Sequence, residues 1–212
     1  MIAILGAGHA GRAMAGDLAL RGAPVALWNR TPANIAVLRA RGGVELAGEV
    51  EGFGRVRLIT DDLEQALRDA RLVIINVPAF AHREMAERCA PFLCDGQIVV
   101  LNPGRTFGAL EFGRALASVQ CAAGVLVAEA ATNLMTARST GPAESYIARI
   151  KHAVPVAALQ ADRTPEVVAA LGEWYPQFTP AANTLETWVH DPSTGSDRAD
   201  GRWTIADVAW TR

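Results

Sequence analysis

The chain has 212 residues, a formal net charge of −2 and 50% hydrophobic residues, which is typical of an ordinary globular domain with a sizeable core. It contains no basic block and no apolar run of membrane-spanning length, so we expect neither a nucleic-acid partner nor a membrane partner. The three cysteines fit no metal or redox spacing, and no basic leader precedes the first strand. We therefore expect no bound metal, reduced thiols and a cytoplasmic location.

The first predicted element is a short apolar strand that runs directly into a glycine loop. The loop reads Gly6-Ala-Gly8-His9-Ala10-Gly11, and a helix-compatible stretch follows over residues 12–21. In this context the glycine spacing predicts a dinucleotide site. Gly6 would make the tight turn, Gly8 would let a pyrophosphate approach the backbone, and Gly11 would let helix and strand pack closely. His9 and Ala10 would lie beside the phosphates. The alternative is a glycine-rich turn of another α/β protein.

The end of the second predicted strand, residues 25–28, bears on the choice between NAD and NADP. A carboxylate there would bind the ribose 2′-hydroxyl of NAD. The chain instead has Asn29-Arg30-Thr31. Arg30 could pair with a 2′-phosphate, and its neighbours could donate hydrogen bonds to it. The sequence therefore favours NADP and leaves NAD open, the alternative for Arg30 being a solvated loop residue.

Strand-like and helix-like segments then alternate along the chain. We expect a helix over 32–40 that Thr31 caps, strands over 44–48 and 55–60 joined by glycine-rich turns, and a helix that begins at Asp61 or Asp62. Buried strands are predicted over 71–77, 97–101 and 125–128, with helices over 79–90 and 107–117. The alternation predicts a Rossmann-type α/β fold, a doubly wound and mostly parallel sheet.

The turns that follow two buried strands carry the next candidate residues. Asn76 and Pro78 follow one strand, and Asn102 follows the next. Since ligands of open α/β sheets bind at the carboxyl ends of strands, these residues should line the nicotinamide side of the cofactor. Arg105 and Thr106 would then meet a substrate. The alternatives are simple turn chemistry for the prolines and a surface role for Arg105.

No acid–base pair can be assembled from the sequence, so the catalytic residues stay unassigned. His82 is the one histidine placed near the expected crevice, and a structural role on its helix face is the stronger interpretation. Glu129 and Glu144 stand alone, and no hydrolase or metalloprotease motif is present.

The pattern changes after Gly141. Strands over 145–152 and 154–159 follow each other without a crossover helix, and a helix over 165–174 begins after Thr164, a candidate cap. We interpret these elements as an antiparallel extension of one domain, residues 1–187. Residues 188–212 lack amphipathic period and are predicted to form an irregular, disordered tail.

Four segments together resemble the NAD/NADP octopine/nopaline dehydrogenase family and, more loosely, the N-terminal domain of glycerol-3-phosphate dehydrogenase. They are the glycine loop, residues 76–82, residues 101–109 and residues 136–142. The resemblance implies a Rossmann domain that binds NAD or NADP. It also implies reduction of the imine formed from an amino acid and a 2-oxo acid.

In that family the catalytic His–Asp pair and much of the substrate site lie in a second, helical domain. The resemblance fades near Thr187, and we expect no helical domain in the 25 residues that remain. Three hypotheses follow: an opine-dehydrogenase-like oxidoreductase, a non-catalytic dinucleotide-binding module, and a reductase of a hydroxy acid or of a glycerol-3-phosphate-like substrate. The expected partners are the cofactor and a small-molecule substrate. Apolar surface left bare would favour a homo-oligomer.

Overall fold

The computed structural model describes residues 1–104 and 107–189. In chain order its strands are β1 (Ile2–Leu5), β2 (Val25–Trp28), β3 (Gly43–Gly48), β4 (Gly52–Arg55), β5 (Leu58–Thr60), β6 (Leu72–Ile75), β7 (Ile98–Leu101), β8 (Leu126–Ala130), β9 (Met135–Gly141), β10 (Glu144–Ile150), β11 (Val154–Ala158) and β12 (Phe178–Pro180). Its α-helices are α1 (His9–Leu20), α2 (Ala36–Arg41), α3 (Leu63–Leu67), α4 (His82–Cys89), α5 (Gly108–Ser118), α6 (Thr164–Gly172) and α7 (Thr184–Val189).

The main sheet has eight strands in the order β12-β11-β8-β7-β6-β1-β2-β5. Six neighbouring strands run parallel to one another, namely β8, β7, β6, β1, β2 and β5. The next strand, β11, runs antiparallel to β8. The predicted Rossmann fold is confirmed, and β11 is the antiparallel extension that the sequence predicted. Helices cover both faces, and each face has its own apolar core. Strands such as β6 are buried along their whole length, as a doubly covered parallel sheet requires.

The second sheet corrects the sequence prediction. Four strands form it in the order β4-β3-β10-β9, so β10 lies outside the extension of the main sheet. β4 occupies a stretch that we predicted as a turn, and no strand was predicted over β9. The glycines of β4 explain the error, because they look like turn residues but permit a close approach to α1. A Cβ on Gly54 would lie 2.1 Å from the carbonyl oxygen of Gly16.

A side-chain capping bond forms at one of the three predicted helix starts. Asp62 caps α3, since its carboxylate accepts a hydrogen bond from the Gln65 backbone N–H at 3.1 Å. Thr31 is the N-cap residue before Pro32, as predicted, but its side chain makes no capping bond, and the helix over 32–40 is a 3₁₀ turn followed by α2. Thr164 is the first residue of α6 and no cap. Its hydroxyl accepts from the Ala158 N–H at 3.1 Å instead.

Among the described residues no helix is long and apolar enough to cross a membrane. α7 continues two residues beyond the predicted boundary at 187, and residues 190–212 of the predicted tail lie outside the described residues. The division of the chain at 187 therefore stays a prediction, as does the cytoplasmic location.

Candidate functional site

The glycine loop connects β1 to α1 at the carboxyl edge of the main sheet. Gly6 adopts φ +110°, and a Cβ there would lie 2.4 Å from the Asn76 carbonyl oxygen. A Cβ on Gly11 would lie 1.9 Å from the Gly6 carbonyl oxygen. Gly8 is different, because a Cβ there would meet no atom within 4 Å. The first and third glycines thus permit backbone packing, while Gly8 leaves open space at the start of α1, where unpaired N–H groups favour an anion.

Asn29 ties the loop to the end of β2. Its side-chain oxygen accepts a hydrogen bond from the Ala7 N–H at 3.1 Å, and its side-chain nitrogen donates to the Thr31 carbonyl at 3.1 Å. Both ends of the amide are therefore satisfied by backbone groups. Asn29 fixes the shape of the loop, and the role predicted for it in holding a 2′-phosphate stays a prediction.

Two clefts meet at Gly8. One, of about 340 Å³, extends toward the end of β2 and is lined by Ala7, Gly8, Arg12, Asn29, Ala33, Asn34, Val37 and Pro142. The other, of about 300 Å³, extends toward the ends of β6 and β7 and is lined by Gly8, His9, Ala10, Asn76, Val77, Pro78, Ala79, Asn102, Pro103 and Asn133. We call them the adenosine-side cleft and the nicotinamide-side cleft, after the half of the cofactor that the sequence predicts at each. The structure brings most of the predicted cofactor residues to their walls.

An amide cluster closes the floor of the nicotinamide-side cleft. The Asn102 side-chain nitrogen donates to the Asn76 side-chain oxygen at 3.2 Å. Both side-chain nitrogens also lie 3.9 Å from the sulfur of Met14. Asn102 is only 1% exposed, and its side-chain oxygen has no hydrogen-bond partner among the described residues. A buried amide oxygen without a partner is costly, so this cluster is suited to accept a donor from a ligand.

A contact between His9 and Ser139 links the glycine loop to β9. The Ser139 backbone N–H donates to His9 Nδ1 at 2.9 Å, and the Ser139 hydroxyl lies 3.1 Å from the same nitrogen. Arg12 strengthens the link, because its guanidinium donates to the carbonyl oxygens of Gly141 and Pro142 at 2.9 and 3.0 Å. Burial lowers the pKa of Arg12. The second sheet thus braces the first turn of α1.

Arg30 lies at the end of β2 but lines neither cleft. Its guanidinium donates to the carboxylate of Glu84 on α4 at 2.8 Å, and both side chains are at least half exposed. Glu84 also lies 3.5 Å from Arg88, and the pair with Arg30 lowers the pKa of Glu84. A 2′-phosphate at Arg30 would therefore compete with a carboxylate already paired to it.

Of the remaining sequence candidates, the structure describes one and leaves two outside the described residues. His82 is 1% exposed and lines neither cleft, and burial lowers the pKa of its imidazole, so the structural role expected for it stays a prediction. Arg105 and Thr106, the substrate candidates, lie outside the described residues. Sequence reasoning missed Asn133 and Ser139, which the unpredicted second sheet and the loop before it bring to the site. The described residues hold no cluster of three metal-ligating side chains.

Glu129 is a buried carboxylate at the end of β8, behind the site. It accepts hydrogen bonds from the Ala109 backbone N–H and the Thr187 hydroxyl, each at 2.8 Å. Burial raises the pKa of Glu129, and these two hydrogen bonds oppose the rise. The carboxylate therefore joins the start of α5 to α7 and takes no part in the clefts.

Comparison with known proteins identifies relatives of this fold and loop. Residues 1–103 match the family model of the NAD-dependent glycerol-3-phosphate dehydrogenase N-terminus. The opine dehydrogenase of Arthrobacter sp. (strain 1C) is 34% identical over 186 residues, which are 87% of this chain and 52% of that protein. The chain thus spans about half the length of this curated relative.

Solved structures of an octopine dehydrogenase and a yersinopine dehydrogenase have the same fold. An octopine dehydrogenase with NADH and pyruvate superposes with a TM-score of 0.77 at 20% identity, covering 92% of this chain and 53% of the other. A yersinopine dehydrogenase with NADP⁺ bound gives a TM-score of 0.73 at 19% identity, covering 90% and 49%. The predicted resemblance is confirmed: the chain is related in sequence to about half of an opine dehydrogenase and, over residues 1–103, to the N-terminus of glycerol-3-phosphate dehydrogenases.

Proposed function

From this relationship to nicotinamide-dependent dehydrogenases, we propose that the chain binds NADPH or NADH across the two clefts as the cofactor-binding part of an opine-dehydrogenase-type oxidoreductase. The observation that carries the proposal is the contrast within the glycine loop. Gly6 and Gly11 are packed against backbone, whereas Gly8 faces open space between clefts of about 340 and 300 Å³. That arrangement suits a pyrophosphate at Gly8 with a nucleoside on each side.

The chemistry proposed for the whole protein is reduction of a carbon–nitrogen double bond. A hydride would pass from the nicotinamide to the imine of an amino acid and a 2-oxo acid, and the nitrogen would take a proton. The cofactor would supply the hydride, and the two clefts would hold the cofactor in a fixed position. Asn76, Pro78 and Asn102 would contact the nicotinamide half, and Arg105 with Thr106 would meet the substrate.

A second candidate is a dinucleotide-binding module without catalytic activity. One observation favours it: among the described residues that line the two clefts there is no carboxylate, cysteine, lysine or tyrosine, and His9 is the only histidine. The third candidate, a reductase of a glycerol-3-phosphate-like or hydroxy-acid substrate, is supported by the family model over residues 1–103. A homo-oligomer is proposed from exposed apolar side chains, of which Phe80, 89% exposed, is the most prominent.

Gly8→Ala tests the binding proposal. Gly8 has an extended backbone that alanine also adopts, and its Cβ would meet no protein atom, so the variant should fold normally. The methyl group would occupy the space proposed for the pyrophosphate. We expect NADPH and NADH affinities to fall by about tenfold or more, a loss of about 1.4 kcal/mol. Gly172→Ala on α6, also in open space but outside both clefts, should leave affinity unchanged. Equal affinities for all three proteins would contradict the proposal.

Turnover assays separate the three candidates. The protein is mixed with NADPH or NADH and with amino acid and 2-oxo acid pairs, with dihydroxyacetone phosphate, or with a 2-oxo acid alone, while absorbance at the nicotinamide band is followed. Oxidation only with the mixed pair supports the opine-type reaction. Oxidation with a single carbonyl substrate supports the third candidate, and tight binding without oxidation supports the module.

A further inference from the structure

Asn133 lies in the short connection between β8 and β9, at the carboxyl edge of the main sheet. The connection after β7 adjoins it, since the Gly104 N–H donates to the Ala130 carbonyl at 3.0 Å. Asn133 and Asn102 therefore both line the nicotinamide-side cleft, although 31 residues separate them in sequence. No part of the sequence reasoning assigned a role to Asn133.

The two side chains share an unusual property. The side-chain oxygens of Asn102 and Asn133 are both buried without a hydrogen-bond partner among the described residues. The Asn102 amide donates through its nitrogen to the Asn76 side-chain oxygen. Its oxygen is therefore the free end. An unpaired buried acceptor is destabilising, and a hydrogen-bond donor from a bound ligand would remove that cost.

We propose that Asn133 and Asn102 together accept the amide N–H₂ group of the nicotinamide carboxamide, and that Asn133 is the residue that makes this end of the cleft specific for a carboxamide. The inference rests on the proposed dinucleotide function. A carboxamide nitrogen carries two hydrogens, which matches two free acceptor oxygens. These bonds would fix the rotation of the nicotinamide ring and hence the face that it presents to a substrate.

The test compares three ligands on two variants. The ligands are the preferred reduced nucleotide, its 3-acetylpyridine analogue, in which a methyl group replaces the amide nitrogen, and the matching ADP-ribose fragment without the ring. Asn133→Leu removes the acceptor with little change of volume. Gln177→Leu is the matched control, because the Gln177 side-chain oxygen is also buried without a partner among the described residues but lines neither cleft. Thermal unfolding and ADP-ribose affinity check that each variant is folded.

We expect wild-type protein to prefer the natural nucleotide over its 3-acetylpyridine analogue. Asn133→Leu should weaken the natural nucleotide about three- to tenfold, the range for one lost hydrogen bond, and leave the analogue and ADP-ribose unchanged. Gln177→Leu should change none of the three.

Two results would overturn the inference on its own. Equal weakening of the natural nucleotide and its analogue would mean that Asn133 recognises the carbonyl or only shapes the cleft. An unchanged natural affinity would mean that it has no contact. Failure of the proposed function looks different, because the wild-type protein would then bind neither the nucleotides nor ADP-ribose, and the inference would fall with it.

Discussion

His9 Nδ1 accepts a hydrogen bond from the Ser139 backbone N–H at 2.9 Å, across 130 residues of sequence. A backbone N–H can only donate, so Nδ1 must be unprotonated in the neutral imidazole and Nε2 must carry the hydrogen. His9 also lines the nicotinamide-side cleft. The second sheet therefore selects the tautomer of a residue at the start of α1.

We predict that nitrogen-15 NMR at about pH 8 shows His9 as the Nε2–H tautomer. Ser139→Ala should preserve it, since the backbone donor remains when the hydroxyl is removed. His152 is the internal comparison, because it is an exposed histidine for which no backbone N–H is described as donating to the ring. A hydrogen on Nδ1 of His9 in the wild-type protein would show that the two segments do not meet as described.

The pair between Arg30 and Glu84 predicts a change in nucleotide preference. Glu84→Gln should free Arg30 and remove a negative charge from the neighbourhood of a 2′-phosphate. An exposed ion pair is weak, so NADPH affinity should rise by at most about fivefold while NADH affinity stays constant. Arg30→Ala should weaken NADPH selectively, and both effects should shrink as salt increases.

Glu87→Gln is the control for this pair, because Glu87 lies on the same helix and bonds Arg83 at 3.0 Å instead. It should leave both affinities unchanged. If Glu84→Gln alters NADPH and NADH equally, or alters neither, Arg30 does not read the 2′-phosphate in competition with Glu84. Titration of nucleotide fluorescence measures the NADPH and NADH affinities of each variant and of the wild-type protein.

Glu129 predicts a pH dependence of stability. Burial raises the pKa of Glu129 above its ordinary value of 4.5, so the folded state binds the proton more tightly than the unfolded state does. The stability that Glu129 contributes in its protonated form is fully present below about pH 4.5. It is lost as the pH rises through the pKa of Glu129 in the folded state. Glu129→Gln keeps a neutral amide there. In urea unfolding, the free energy of unfolding of this variant should therefore rise relative to that of the wild-type protein between pH 4.5 and pH 8.

Glu166 gives the contrasting case for the same measurement. The pKa of Glu166 is lowered by its hydrogen bonds with Arg163, so Glu166→Gln should not gain on the wild type as the pH rises. A constant difference between Glu129→Gln and wild-type protein across this range would show that the carboxyl of Glu129 is not buried as described.

A buried hydrogen bond joins α1 to the segment after α6. The Tyr175 hydroxyl donates to the Asp17 carboxylate at 2.7 Å, and both residues are 1% exposed. Removing a hydrogen bond to a charged group costs about 1.5–3 kcal/mol, so Tyr175→Phe should lower the free energy of unfolding by that amount. Tyr146→Phe, at a tyrosine that is 47% exposed, should change it little. Equal effects in the two variants would mean that the Asp17 contact contributes nothing.

Local sequence signals predicted the part of the site that one continuous segment builds. The glycine loop needs only a strand, a spacing of glycines and a helix, all within residues 2–20. Asn76 and Asn102 were found because each directly follows a buried strand, and parallel strands bring such positions to one edge. The Rossmann order of the sheet followed from the same alternation.

Residues that depend on long-range pairing were not found. β9 carries arginine, threonine and glycine, and β4 carries two glycines and an arginine; they become strands by pairing with β10 and β3 and packing against α1, a tertiary effect that outweighs propensity. Asn133 lies five residues beyond the predicted end of its strand, so its place in the cleft had no local signal. The Arg30–Glu84 pair joins residues 54 positions apart, and sequence reasoning saw Arg30 without its competitor.

Nucleotide binding at the glycine loop is tested most directly by mapping where a nicotinamide nucleotide binds. The map is made by following backbone amide resonances as NADPH and NADH are added. We predict that the largest changes fall on Gly8, His9 and Ala10 and extend into both clefts. A further cleft of about 310 Å³ lies at the opposite edge of the sheet, lined by Met1, Pro24, Arg71 and Trp174 among others, and its resonances should not move. Changes centred on that further cleft, or no saturable change with either nucleotide, would contradict nucleotide binding at the glycine loop.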